Sequence, residues 1–253
     1  MSVFGIAMVR DEVDVVEQTI THMLAEVDQI VVLDNGSTDG TREILDRLPV
    51  AVIDDREIGF YQSRKMTELA AWVATRGATW VVPFDQDEWW YSPFGRIKDI
   101  LARHPEAAVL TAEVYDHVAT ALDPAGEDPF VTMGWRRREP LPLKKIACRP
   151  VVHAVIGQGN HEVTNFGTLE GQLVVRHFPY RSPSQMAKKV RNGAVAYAAT
   201  NLPESTGQHW RDYGRLLESG GEEAIADVFR TWFWSADPHA EGLIYDPVAA
   251  LEV

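Results

Sequence analysis

A chain of 253 residues, 45% hydrophobic and 24% charged, is long enough to bury a sizeable core and has the composition of an ordinary soluble globular protein. Its formal net charge of -13 excludes a general nucleic-acid binder, which needs a basic face. A lone Cys148 excludes a disulfide framework, no apolar run approaches the roughly 20 residues of a membrane span, and "MSVFGIAMVRDE" lacks a signal peptide's basic lead, so the expectation is a cytoplasmic protein, at most peripheral to a membrane.

The elements follow from periodicity. Val3–Val9 reads as a buried strand, and Val13–Ala25 as a helix with Val13, Val16, Ile20, Met23 and Leu24 on one face. "QIVVLD" is a second strand, and "NGSTDGT" a polar turn in which Ser37 or Thr38 is placed to cap a helix over Thr41–Leu48. Val50–Ile53 is a third strand, Tyr61–Thr75 a third helix, and Trp80–Phe84 a fourth strand that runs into "DQDEWW". Strands alternating with helices predict a parallel sheet covered on both faces, with ligands beyond the carboxyl ends of its strands. Arg10, Asp34, Asp54 and Asp85 all stand at such ends.

Beyond residue 116 the pattern loosens. His117–Pro142 contains Pro and Gly, is charged and lacks periodicity, which predicts a loop insert. Lys144–Arg149, His161–Thr164 and Gln172–His177 read as strands, and Ser182–Ala199, Asp212–Glu218 and Glu222–Trp234 as helices. One domain over 1–253 is expected. It divides into a regular first part, 1–115, a less regular part, 116–181, and a helical extension, 182–253.

The carboxylates after the fourth strand carry the chemistry. Asp85 and Asp87, one residue apart on a tight turn, can converge on magnesium or manganese, hard cations that take oxygen ligands and leave positions for substrate phosphates. An isolated D-x-D is also an ordinary solvated turn; the acids at neighbouring strand ends favour the site.

"IAMVRDEVDVVEQTITHMLAEVDQIVVLDNGSTDGTREIL", followed by "VVPFDQDEWW", resembles the family 2 glycosyltransferases. The resemblance covers roughly the first 115 residues, and "GQGNHEV" and "VVRHFPYRS" extend it more weakly. It implies an α/β GT-A fold: a Rossmann-like, mostly parallel sheet with helices on both faces, a small antiparallel region and a helical C-terminal extension. It also implies roles. Asp87 becomes the direct metal ligand, with Asp85 toward ribose or metal. Asp34 meets the nucleoside, Val9 and Arg10 line the base pocket, and Arg64 reaches the diphosphate. His177 completes the metal site, and Glu162 serves as the acceptor base, with His161 open to either role.

Of Trp89 and Trp90, one ring is expected in the core and the other, assigned to Trp89, against the sugar. The run Trp135–Glu139 and Lys144–Lys145 offers cations to phosphate or an anionic acceptor, or is a solvated loop. The implied activity is transfer of a glycosyl group from a nucleoside-diphosphate sugar (UDP-, GDP- or dTDP-linked) to an unidentified acceptor hydroxyl or amine. A divalent metal, Mn2+ or Mg2+, assists, the anomeric centre inverts, and a homodimer is left open. Two rivals stay in view. A sugar-phosphate nucleotidyltransferase would carry a glycine-rich basic loop after its first strand, where "MVRDEVD" has no glycine. A carbohydrate-binding module would need no metal-diphosphate constellation.

Overall fold

The computed structural model describes residues 1–151, 153–164 and 166–248. Its elements in chain order are β1 (Val3–Val9), α1 (Val16–Glu26), β2 (Gln29–Asp34), α2 (Thr41–Leu45), β3 (Ala51–Asp54), α3 (Gln62–Ala74), β4 (Trp80–Phe84), β5 (Glu88–Tyr91) and α4 (Ile97–Arg103). There follow β6 (Val109–Thr120), α5 (Pro129–Thr132), β7 (Trp135–Arg136), β8 (Lys145–Cys148), a short 3-10 turn at Gln158–Asn160, β9 (Thr168–His177), α6 (Pro183–Ala198), α7 (Gln208–Trp232), β10 (Trp234–Ser235) and β11 (Ile244–Tyr245).

The chain divides into two compact units, the first formed by Met1–Arg56, Tyr61–Tyr115 and Pro140–His177. In it β4, β1, β2 and β3 lie side by side and parallel, with β8 and then the first part of β6 added antiparallel beyond β4. This is the mostly parallel α/β sheet expected. Side chains alternate across it because successive residues of a strand point to opposite faces. Val3, Ala7 and Val9 of β1 pack with Val16, Ile20 and Met23 of α1 and with Ile97, Ile100 and Leu101 of α4. Phe4 and Ile6 pack on the other face with Met66, Leu69, Ala70 and Val73 of α3. At roughly 1.5–3 kcal/mol for each buried large apolar side chain, these two layers dominate the stabilisation of the sheet. The register pairs Val9 with Asp34 and Asp34 with Asp54, so the strand-end residues form one row.

The second unit comprises Glu57–Phe60, Asp116–Glu139 and Phe178–Val253. Its core is Met186, Ala187 and Val190 of α6 against Ile225 and Phe229 of α7, joined by Tyr180. Ser182 caps α6 by accepting from the Gln185 N–H at 3.1 Å, and Pro183 occupies the first helical position, where its missing N–H costs nothing.

Several expectations need correction. Ser37 and Thr38 do not cap α2: its N-cap is Gly40, in the left-handed region at φ 104. The Ser37 hydroxyl instead accepts from Asp11 N–H at 3.1 Å, and Thr38 N–H donates to the Asp11 carboxylate at 2.7 Å, latching the second strand-end loop to the first. The stretch 117–142 is not one loop. β6 continues to Thr120, Asp128 caps α5 with Pro129 after it, and Trp135–Arg136 pairs with β6. His161–Thr164 is not a strand; Val163 makes only an isolated bridge to Ile156. Among the described residues, no helix is long and apolar enough to cross a membrane.

Candidate active site

The site is built at the carboxyl ends of β1, β2 and β4. Val9 is buried, and Arg10 lies half-buried with its Nε 3.9 Å from Asp11, whose own backbone sits at φ 55. Asp34 is buried and accepts from Ser37 N–H at 3.0 Å, which fixes the turn after β2, while Arg42 stands 3.7 Å from its second oxygen. Asp54 is exposed and ion-paired with Arg42. The neighbouring Asp55 is the inward acid: it holds Lys65 Nζ at 2.6 Å and Asn35 Nδ2 at 2.9 Å.

The turn after β4 is closed by its own third acid. Glu88 is fully buried, and its Oε2 accepts from the Asp85 N–H at 3.0 Å and from Trp90 Nε1 at 2.8 Å. Lys145, on β8, places its ammonium 2.6 Å from Glu88 Oε1 and 2.5 Å from Asp85 Oδ2. Burial alone would discharge this lysine, yet Asp85 and Glu88 outweigh that effect and push its pKa above the ordinary lysine value. Burial raises the Glu88 carboxyl above its usual range, against the pull of Lys145. The other Asp85 oxygen accepts from Gln62 Nε2 at 3.1 Å and from Asn160 Nδ2 at 3.4 Å. Gln62 in turn accepts from Gly159 N–H at 2.8 Å. Asn160 is fully buried at φ 58, and its Oδ1 has no hydrogen-bond partner among the described residues.

Asp87 faces a different neighbour. β5 runs antiparallel to β9 with Glu88 opposite His177, and this register brings His177 Nε2 to 3.6 Å from Asp87 Oδ2. The sequence separated those residues by 90 positions; the strand pairing joins them. Asp87 is buried and the His177 side chain is 22% exposed. Among the described residues, no group of three His, Cys, Asp or Glu side chains stands together as a metal cage. The Asp87–His177 pair is an oxygen and an imidazole nitrogen on one side of the turn, a donor set that suits manganese.

Other expected residues lie as follows. His161 Nδ1 is 2.9 Å from the Lys144 carbonyl, which accepts, so in the neutral ring Nδ1 carries the proton and Nε2 the lone pair. Burial, then Lys145, lowers its pKa. Glu162 is exposed and folds over Gly157, whose N–H donates to the Glu162 carbonyl at 2.8 Å. Arg64 is exposed on the first turn of α3, 3.5 Å from Glu68. Both tryptophans are inside: Trp90 is fully buried, and Trp89, 6% exposed, stacks on His22 with ring centroids 3.9 Å apart. The expectation that the Trp89 ring faces a sugar is therefore corrected, because the β5–β9 pairing turns that face toward α1. Within the basic runs, Arg136 pairs with Asp246 at 2.8 Å and Lys144 with Glu170 at 2.9 Å. Gln62, Lys65, Asn160 and Asn35 were not found from the sequence; the one available hint was that "GNHEV" already pointed to the loop carrying Asn160.

The acids and the histidine thus gather at the carboxyl ends of the strands of an α/β sheet, the place where such sheets receive ligands. The chain belongs to Glycosyl transferase family 2, whose sequence pattern matches residues 6–146, more than half of its length; it is a glycosyltransferase. A search of curated proteins found no match. Among solved structures, the chain is similar to S. aureus TarS residues 1–349 in complex with UDP, at 14% identity over 87% of this chain and 73% of that one, TM-score 0.42. It is similar to glucosyl-3-phosphoglycerate synthase from Mycobacterium tuberculosis in complex with phosphoglyceric acid, at 15% identity over 81% of each chain, TM-score 0.44. Mannosyl-3-phosphoglycerate synthase from Rubrobacter xylanophilus aligns at 14% identity over 85% of this chain and 76% of that one, TM-score 0.42.

Proposed function

We propose that the chain moves a sugar from a nucleoside-diphosphate donor to an acceptor hydroxyl or amine, with inversion and with a divalent cation, Mn2+ or Mg2+, at the diphosphate. The observation that carries this reading is the approach of His177 to Asp87 at the end of β4, 3.6 Å apart across the β5–β9 pairing. Asp87 and His177 would hold the cation, with donor phosphate oxygens and water completing its shell. When bound, it would offset the charge that develops on the departing diphosphate. Asp34, with Val9 and Arg10 on the neighbouring strand end, would receive the nucleoside. Arg64 is the cation offered to the phosphates, two residues after the Gln62 that touches Asp85. Glu162 would take the proton from the acceptor as it attacks the anomeric carbon opposite the leaving group; its exposed position is what supports this role. The 253 residues would act as one catalytic domain, in the reducing interior of the cell.

Thermal melts with UDP, GDP and dTDP, each with and without manganese, test the reading. One nucleotide should raise the melting temperature in a metal-dependent way, corresponding to about 2.7 kcal/mol at a hundredfold excess over its dissociation constant. Asp87→Ala should abolish that gain. Glu162→Gln should keep it while lowering turnover by about two to four orders of magnitude. Indifference to every nucleotide would leave a carbohydrate-binding role, and a product of retained anomeric configuration by proton NMR would end the single-displacement assignment.

A further inference from the structure

Lys145 stands where a cation is expected to meet the first acid of the turn. It is anchored on β8, whose neighbouring Ile146, Ala147 and Cys148 are buried, and its side chain is 7% exposed. Its ammonium reaches Asp85 at 2.5 Å and Glu88 at 2.6 Å. A carboxylate offers two oxygens and about four lone-pair positions. For Asp85, Lys145 takes one on Oδ2, and Gln62 and Asn160 share Oδ1. A divalent ion coordinated by Asp85 would lie within a few ångströms of a buried ammonium that the protein cannot move aside, because Glu88 holds it from the other side. The like charges would repel in a poorly screened setting. Asp87, two residues later, faces the His177 imidazole instead.

We propose that Lys145 is a positioning residue which reserves Asp85 from the metal. The D-x-D turn then contributes a single metal ligand, Asp87, and Asp85 is presented to the donor as a fixed hydrogen-bond acceptor on its remaining lone pair, its side chain 29% exposed. The assignment rests on the donor-binding reading above. It also explains Glu88, which ties the Asp85 N–H, the Trp90 indole and the Lys145 ammonium into one unit, so the acceptor is held in place before any donor arrives.

The test is calorimetric and needs no acceptor. The affinity of the nucleoside diphosphate (UDP, GDP or dTDP) is measured with and without manganese chloride, and the ratio of the two isolates the metal contribution from contacts to base or ribose. Changes to residues behind a metal ligand cost about ten- to a hundredfold in metal affinity, so Asp87→Asn, a change to the ligand itself, should lower the ratio at least that much. Asp85→Asn should leave the ratio unchanged even where nucleotide affinity itself falls. Lys145→Met alone would strand the fully buried Glu88 carboxylate, so it is paired with Glu88→Gln; with Asp85 released, the ratio should rise about tenfold. Lys145→Arg, which keeps the charge, should behave as the parent. A fall in the Asp85→Asn ratio equal to that of Asp87→Asn would make Asp85 a metal ligand and overturn the proposal, as would an unchanged ratio in the folded double variant. A parent protein that binds no nucleoside diphosphate, or binds it without help from manganese, would instead remove the donor reading, and this assignment with it.

Discussion

His22 shows how one side chain couples the wall of the site to pH. It is buried on α1, stacks on Trp89, and donates from Nε2 to the Trp90 carbonyl at 2.5 Å. Burial pushes its pKa down to about 4; the Trp90 carbonyl opposes the fall and Arg176 adds to it. In the unfolded chain an ordinary histidine titrates near 6.5. Between those values the unfolded state binds more protons, so stability must rise with pH across that window. The contribution is complete above about 6.5 and is lost as pH falls toward 4, for a total of about 3 kcal/mol. Urea unfolding at pH 7.0 and 4.5 of the parent and of His22→Gln should show the parent losing more by roughly that amount; equal losses would remove His22 as the cause. Nothing in the spacing of α1 marked this residue, since a histidine on an apolar helix face is an ordinary core occupant. Asp34, Asp85 and Asp87 were legible as acids because each stands at a strand end or within the turn that follows one, and a strand end is a local fact. Lys145, Gln62 and Asn160 reach Asp85 from 60, 23 and 75 residues away, and only the assembled sheet brings them there.

Among the elements, α7 contains its own break. It runs from Gln208 to Trp232, but Gly221 sits at φ 68, ψ -169, a region essentially closed to any residue with a Cβ. The sequence predicts two helices here, Asp212–Glu218 and Glu222–Trp234, and the backbone does break between those points, at Gly221. Gly221→Ala has open space around its new methyl, so strain alone should act. The variant should lose about 1–3 kcal/mol of stability in denaturant unfolding. A neutral result would mean that the segment rewinds into a continuous helix. The parallel strands were readable because each is a short apolar run between helical patterns. β5 was not: Glu88–Tyr91 has too few residues to show a period, and its pairing with β9 joins segments far apart in sequence. β6 was not read either, as its half-buried Tyr115 and Asp116 interrupt the apolar pattern without ending the ladder.

At the scale of the whole molecule, charge sets the remaining balance. The chain has 37 acidic and 24 basic residues, so even if every base engaged one acid, 13 acids would remain (37 - 24). Many of the visible pairs are on the surface, as with Arg191 and Glu222 at 2.7 Å or Arg230 and Glu223 at 2.8 Å. Such pairs are each worth about 0–1 kcal/mol and weaken with salt. Repulsion among the excess acids weakens with salt too, and its removal favours the compact state. The two effects have opposite signs, and the surplus decides between them. At pH 7.5, raising sodium chloride from about 10 to 150 mM shortens the screening length from about 30 to 8 Å and should therefore raise the melting temperature. At pH 5, close to the isoelectric point of about 5.0, the excess charge is gone and the same salt step should raise it less or lower it. Calorimetric scans at the two pH values distinguish these outcomes. A melting temperature that falls with salt at pH 7.5 would mean that attraction within the ion pairs outweighs the repulsion of a surface carrying 13 net negative charges.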